Sequence, residues 1–91
     1  MIPRIKRLEA LPNLMLKVEF DDGRVVLYDV GEDVRDIPSY APLANFVGLF
    51  FNVQLDQSRT CVFWNDVIDL PSDAIYEYGR ELAPAGCKQL T

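Results

Sequence analysis

Carboxylates, a cysteine and two large aromatics crowd the stretch Arg59–Gly79, RTCVFWNDVIDLPSDAIYEYG, so chemistry is sought there first. Asn65, Asp66, Asp69 and Asp73 set oxygen atoms at short intervals. Such density suits a hard cation, or a pair of carboxylates working as acid and base. A calcium loop also needs a defined ligand alternation and a glycine at its turn, and this stretch has neither. A turn followed by a helix start explains the same residues, because Asn, Asp and Ser side chains there satisfy loose backbone N–H groups. Glu32, Asp33 and Asp36 face the same choice and read as a solvated loop. No metal site and no cofactor are expected.

Cys61 could act as a nucleophile only beside a base or in a positive field. Arg59, two residues away on the same strand face, is thin support, and a buried structural thiol is the better reading. Trp64 and Tyr76 could stack on a ligand, but large aromatics dominate burial and more often serve a core or an interface. The residues kept as a candidate binding surface are Trp64, Asn65, Asp66, Asp69 and Tyr76. None is assigned a catalytic role.

Absences narrow the chemistry further. The chain has no histidine, which removes a histidine base, a histidine-relayed nucleophile and an ordinary zinc enzyme site. Cys61 and Cys87 form neither a metal-binding spacing nor a disulfide framework and are expected as reduced thiols. The net charge of −5 disfavours direct binding to phosphate backbones, since the one basic cluster is Arg4, Lys6 and Arg7, with Glu9 close behind. A basic protein partner suits the balance better.

With 91 residues there is room for one domain, and 49% hydrophobic against 25% charged residues is the mix of a globular fold. Apolar runs such as Val25–Tyr28 are too short to cross a bilayer, and the charged start lacks a signal-peptide core. A cytoplasmic location follows as the expectation.

The elements that must position these side chains are read from periodicity. Ile2–Ala10 predicts a first strand with Ile2 or Ile5 and Leu8 inward, and Leu11-Pro12-Asn13 a turn. In Leu14–Phe20, Leu14, Leu16, Val18 and Phe20 share one face and Met15, Lys17 and Glu19 the other. Asp21-Asp22-Gly23 turns the chain into Arg24–Val30, with Val26, Tyr28 and Val30 aligned. Gly31–Pro38 reads as a polar connection. Pro42, Leu43, Phe46 and Val47 predict a short helix within Ser39–Gly48. Strands Leu49–Leu55 and Arg59–Trp64 then form a second hairpin about Asp56-Gln57-Ser58. The last of these is apolar on both faces and asks for cover on both, by a helix, loops or a partner subunit. Beyond an Asn65-Asp66 turn and an extended Val67–Leu70, Ser72 is the expected N-cap of a helix that Gly79 ends. The fold class expected is α+β: a small antiparallel sheet of about five strands, in two hairpins, with one or two short helices packed on it. Residues 1–80 would form the domain and 81–91 a C-terminal tail.

Several of these marks fall in a familiar order. Leu16-Lys17-Val18-Glu19-Phe20 and Asp22-Gly23 lead to Tyr28-Asp29, then Leu43 and Phe46, Phe63-Trp64, Asp69-Leu70 and Ile75-Tyr76. Over roughly residues 3–78 the chain resembles the small bacterial domain-of-unknown-function family numbered 2442. The resemblance implies a small antiparallel sheet with helical cover and no established function. It also implies that some relatives carry a helix-turn-helix domain, which is not expected here, and that others sit beside a second small gene as in a toxin–antitoxin pair. The favoured function is a protein–protein interaction or regulatory module, self-associating or the acidic member of such a pair. The alternatives are a nucleic-acid-associated regulatory domain using Arg4, Lys6 and Arg7, or a small enzyme using carboxylates or Cys61.

Overall fold

Leu16, Val18 and Phe20 are almost wholly withdrawn from solvent, while Lys17 between them is exposed. That alternation is the clearest local cause of the fold, since successive strand side chains point to opposite faces. The computed structural model describes residues 2–45, 48–65 and 68–83. In it β1 (Ile5–Leu11), β2 (Met15–Phe20) and β3 (Val25–Asp29) form an antiparallel meander, and β7 (Arg80–Ala83) joins the far side of β3. A second antiparallel sheet has the order β4 (Gln54–Leu55), β5 (Cys61–Phe63), β6 (Asp69–Pro71). The helices are α1 (Val30–Asp36), α2 (Pro42–Asn45) and α3 (Ser72–Tyr78). The α+β class stands, with seven strands in two sheets among the described residues where about five in one sheet were expected.

The β2–β3 turn forms as its residues predict. Gly23 takes φ +93° and its N–H donates to the Phe20 carbonyl at 3.0 Å, while Asp22 accepts from the Arg24 N–H. The β1–β2 turn lies one residue later than expected, at Pro12-Asn13-Leu14. Asn13 and Leu14 both adopt left-handed backbone, φ 66° and 59°, so β2 begins at Met15. Leu14 is an unusual residue for that region, at a cost of roughly 1–2 kcal/mol. Its carbonyl is pinned by the Val30 N–H at 2.9 Å.

Three expectations are corrected. The supposed polar connection after β3 is the helix α1: Val30 and Val34, four positions apart, turn toward the core, and Glu32 and Asp33 sit favourably in its first turn. The expected strand Leu49–Leu55 shrinks to Gln54–Leu55, because Phe50–Asn52 coil into a 3-10 turn that buries Phe50 and leaves Phe51 exposed. Residues 81–83, the start of the stretch expected as a tail, continue a paired strand that begins at Arg80, with Val26 opposite Glu81 and Leu27 opposite Arg80. The short helix around Pro42 is present as α2, preceded by a 3-10 turn at Pro38–Tyr40. Phe46, Val47, Val67 and Cys87 lie outside the described residues.

α3 starts one residue earlier than expected. Pro71 is its N-cap and Ser72 its first residue, wholly buried, with its hydroxyl donating to the Pro3 carbonyl at 2.6 Å. Gly79 ends the helix with φ −71°, not with a left-handed turn. Its reason is space: a Cβ there would meet the Ile75 carbonyl at 2.6 Å and Val26 Cβ at 2.9 Å.

Both sheets feed one core, in which Ile5, Leu16, Val18 and Val26 meet Val62, Ile68, Leu70 and Ile75. Each such side chain contributes roughly 1.5–3 kcal/mol of burial. Polar clamps tie the sheets together at the edge of β1. The Ile5 N–H donates to the Arg59 carbonyl at 2.7 Å, and the Arg59 guanidinium grips both oxygens of Asp21 at 2.8 and 2.9 Å. Among the described residues no helix is long and apolar enough to cross a membrane.

Candidate functional site

The residues singled out by sequence disperse. Trp64 is buried, its indole N–H donates to the Phe50 carbonyl at 2.9 Å, and the two rings stack at 5.9 Å between centres. Asn65 uses its side-chain oxygen to accept the Ile68 N–H at 2.8 Å, which is turn chemistry. Asp66 lies outside the described residues. Asp69 is exposed, and its backbone carbonyl accepts the Tyr40 hydroxyl. Tyr76 belongs with a different group: its ring meets Phe20 edge-on at 4.9 Å, Arg24 lies over it, and its hydroxyl donates to Asp22 at 2.6 Å. That bond to Asp22 holds the phenol proton and raises its pKa. The described members of the set do not converge on one point.

Cys61 is half-buried, and burial pushes its thiol pKa up. Arg59 does not relieve this, because its guanidinium is committed to Asp21 and to the Ile5 carbonyl. A raised thiol pKa opposes nucleophilic chemistry at neutral pH. Among the described residues no group of three or more Cys, Asp or Glu side chains is placed to hold a metal ion.

A different set of residues does converge. Where the end of β3 meets α1, the Pro38–Tyr40 turn, β6, α3 and the start of β7, the surface opens into a cleft of about 640 Å³. Its floor is largely apolar, from the buried Leu70 and the half-buried Leu27 and Ala74, and the exposed Pro71 continues the apolar lining. Two phenols form its walls. Tyr28 donates to Asp33 at 2.6 Å, and its pKa is raised far above the ordinary value by burial first and then by that bond. Tyr40, tied to the Asp69 carbonyl, is also raised by burial. Both therefore stay protonated at neutral pH and donate within the chain. The rim carries the carboxylates of Asp29 and Glu32 with the exposed apolar side chains of Ile37 and Tyr78, and Arg80 supplies one positive charge.

A cleft of this size and lining suits recognition, since apolar walls with a few polar groups are the ordinary makeup of a binding pocket. No reading of the sequence singled it out. The residues were ordinary one by one, and Ile37 and Tyr78, apolar side chains left at element ends, were the available signal.

The family described as "Protein of unknown function (DUF2442)" matches residues 5–81. The chain belongs to this family. No curated protein and no solved structure matches it. The DUF2442 match opens on the first residue of β1 and closes inside β7, so it spans both sheets, the three helices and every residue that lines the cleft.

Proposed function

We propose that this DUF2442 chain is a protein–protein interaction module that works through the cleft between β3, α1, α3 and β7. The observation that carries the reading is the convergence of Ile37 and Tyr78, 40% and 75% exposed, on one opening. Large apolar side chains scattered singly over a surface need no explanation, but two flanking a concave apolar floor form a patch that binding would cover. The partner is a second protein, either another copy of the chain or the product of a neighbouring gene in a two-gene arrangement, with this chain as the acidic member in a bacterial cytoplasm. The net charge of −5 favours a protein partner over nucleic acid.

Light scattering of the purified chain and co-purification with the neighbouring gene product test the proposal. A dimer or a stable pair, weakened by Tyr78→Ser and Ile37→Ser, is the expected outcome. A strictly monomeric chain that retains no partner would reject it.

A further inference from the structure

Within that reading the charges at the cleft narrow the partner. Asp29 is the N-cap of α1, yet its carboxylate makes no cap bond, and neither it nor Glu32 forms a hydrogen bond or ion pair with another described residue. Tyr28 donates a hydrogen bond to Asp33 but, as a neutral hydroxyl, supplies no countercharge. Among the described lining residues three carboxylates thus face one cation, Arg80, around an apolar floor, while Arg35 borders the space beside Gly31 that the Asp29 carboxylate also borders. The acids at the start of α1 also suit the helix dipole, and that accounts for their place in the helix. It does not account for the apolar opening beside them, with Ile37 on one flank and Tyr78 on the other.

We infer that the cleft takes a peptide segment of a partner protein in which an aliphatic or aromatic residue lies next to lysine or arginine. The apolar side chain fills the floor between Tyr28 and Tyr40, and the basic one reaches Asp29 and Glu32. Opposite charges at the rim speed encounter and fix which segment is accepted, while the apolar anchor supplies most of the affinity. Arg80 selects against a second basic residue on its side of the cleft.

Fluorescence anisotropy with the whole chain tests this. The probe is a short labelled peptide alternating leucine and lysine, and its counterpart has glutamate in place of lysine. The lysine peptide is expected to saturate, to weaken as salt rises, and to lose roughly three- to tenfold in affinity on the double change Asp29→Asn and Glu32→Gln. The Asp29 carboxylate makes no cap bond for the change to break, so that variant keeps its fold, which circular dichroism checks. Arg80→Ala should tighten the same peptide. Equal binding of the glutamate peptide, no saturation, or binding indifferent to the double variant and to salt would overturn the inference. A self-associated or paired chain whose assembly ignores both the charge changes and the peptide would leave the interaction reading standing and remove this one alone.

Discussion

The guanidinium of Arg24 lies 4.8 Å from the centre of the Tyr76 ring, and its Nε and Nη2 both donate to the Tyr76 carbonyl, at 3.2 and 3.0 Å. Its third arm pairs with Glu81. One side chain beside the β2–β3 turn thus takes a carbonyl from the last turn of α3 and fixes β7 as well. Lysine cannot reproduce a planar fork with this many directed donors. Arg24→Lys should therefore cost about 1–2 kcal/mol. Urea denaturation measures it, and an unchanged midpoint would show that the fork is ornamental.

Trp64 joins the second sheet to the chain that enters it. Trp64→Phe preserves most of the ring contact with Phe50 but removes the donor to the Phe50 carbonyl. A buried acceptor left without a partner costs about 1–3 kcal/mol. Loss of that amount in thermal or urea unfolding is expected, with no change in far-ultraviolet circular dichroism.

At Gly79 the backbone angles suit any residue, so the penalty for a side chain is purely one of space. Gly79→Ala pushes a methyl into the Ile75 carbonyl and Val26, neither of which can swing away. Overpacking of this kind typically costs about 1–3 kcal/mol. Gly79→Ala should be clearly less stable than Ala74→Gly, which loses only helix propensity and a partly buried methyl; the reverse ranking would contradict the close contact between α3 and β3.

Tyr28, Tyr40 and Tyr76 all hold their protons more tightly than a free tyrosine. A folded-state pKa above the unfolded one gives stability that is complete below the unfolded value and fades as pH rises past it. The fold should therefore show no loss from these groups at neutral pH and a decline beginning near pH 10. Burial of Tyr28 is the leading cause of its shift. Tyr28→Phe, which has no proton to lose, should flatten that alkaline decline when denaturation midpoints are compared across the range. A parallel decline in both proteins would assign it to other groups.

What could be read in advance follows from how local each cause is. Hairpin β2–β3 was legible because Leu16, Val18 and Phe20 alternate cleanly and Asp22-Gly23 supplies turn chemistry within a few residues. α3 was legible from Asp73, Ile75 and Gly79. The strand expected over Phe50–Asn52 failed because Phe51, Val53 and Leu55 imitate a period of two, while the buried aromatic is Phe50, stacked on Trp64. α1 was hidden by a glycine and several acids, with Val30 and Val34 as its faint signal. β7 has no alternation of its own and owes its form to β3. The cleft was the least legible feature. It exists only where Tyr28, Tyr40 and Tyr78, from three separate elements, come together with Ile37 from the junction after α1.

The strand order β1-β2-β3-β7 also has a bearing on synthesis. The first three strands leave the ribosome as a ready meander, but the whole second sheet must be made before β7 can cover β3. During that interval β3 presents an open hydrogen-bonding edge, the kind of surface that pairs with a neighbouring nascent chain. Slow elongation between the two strands would lengthen that exposure. Synonymous codons in this interval therefore become a determinant of yield, without any change in the finished protein.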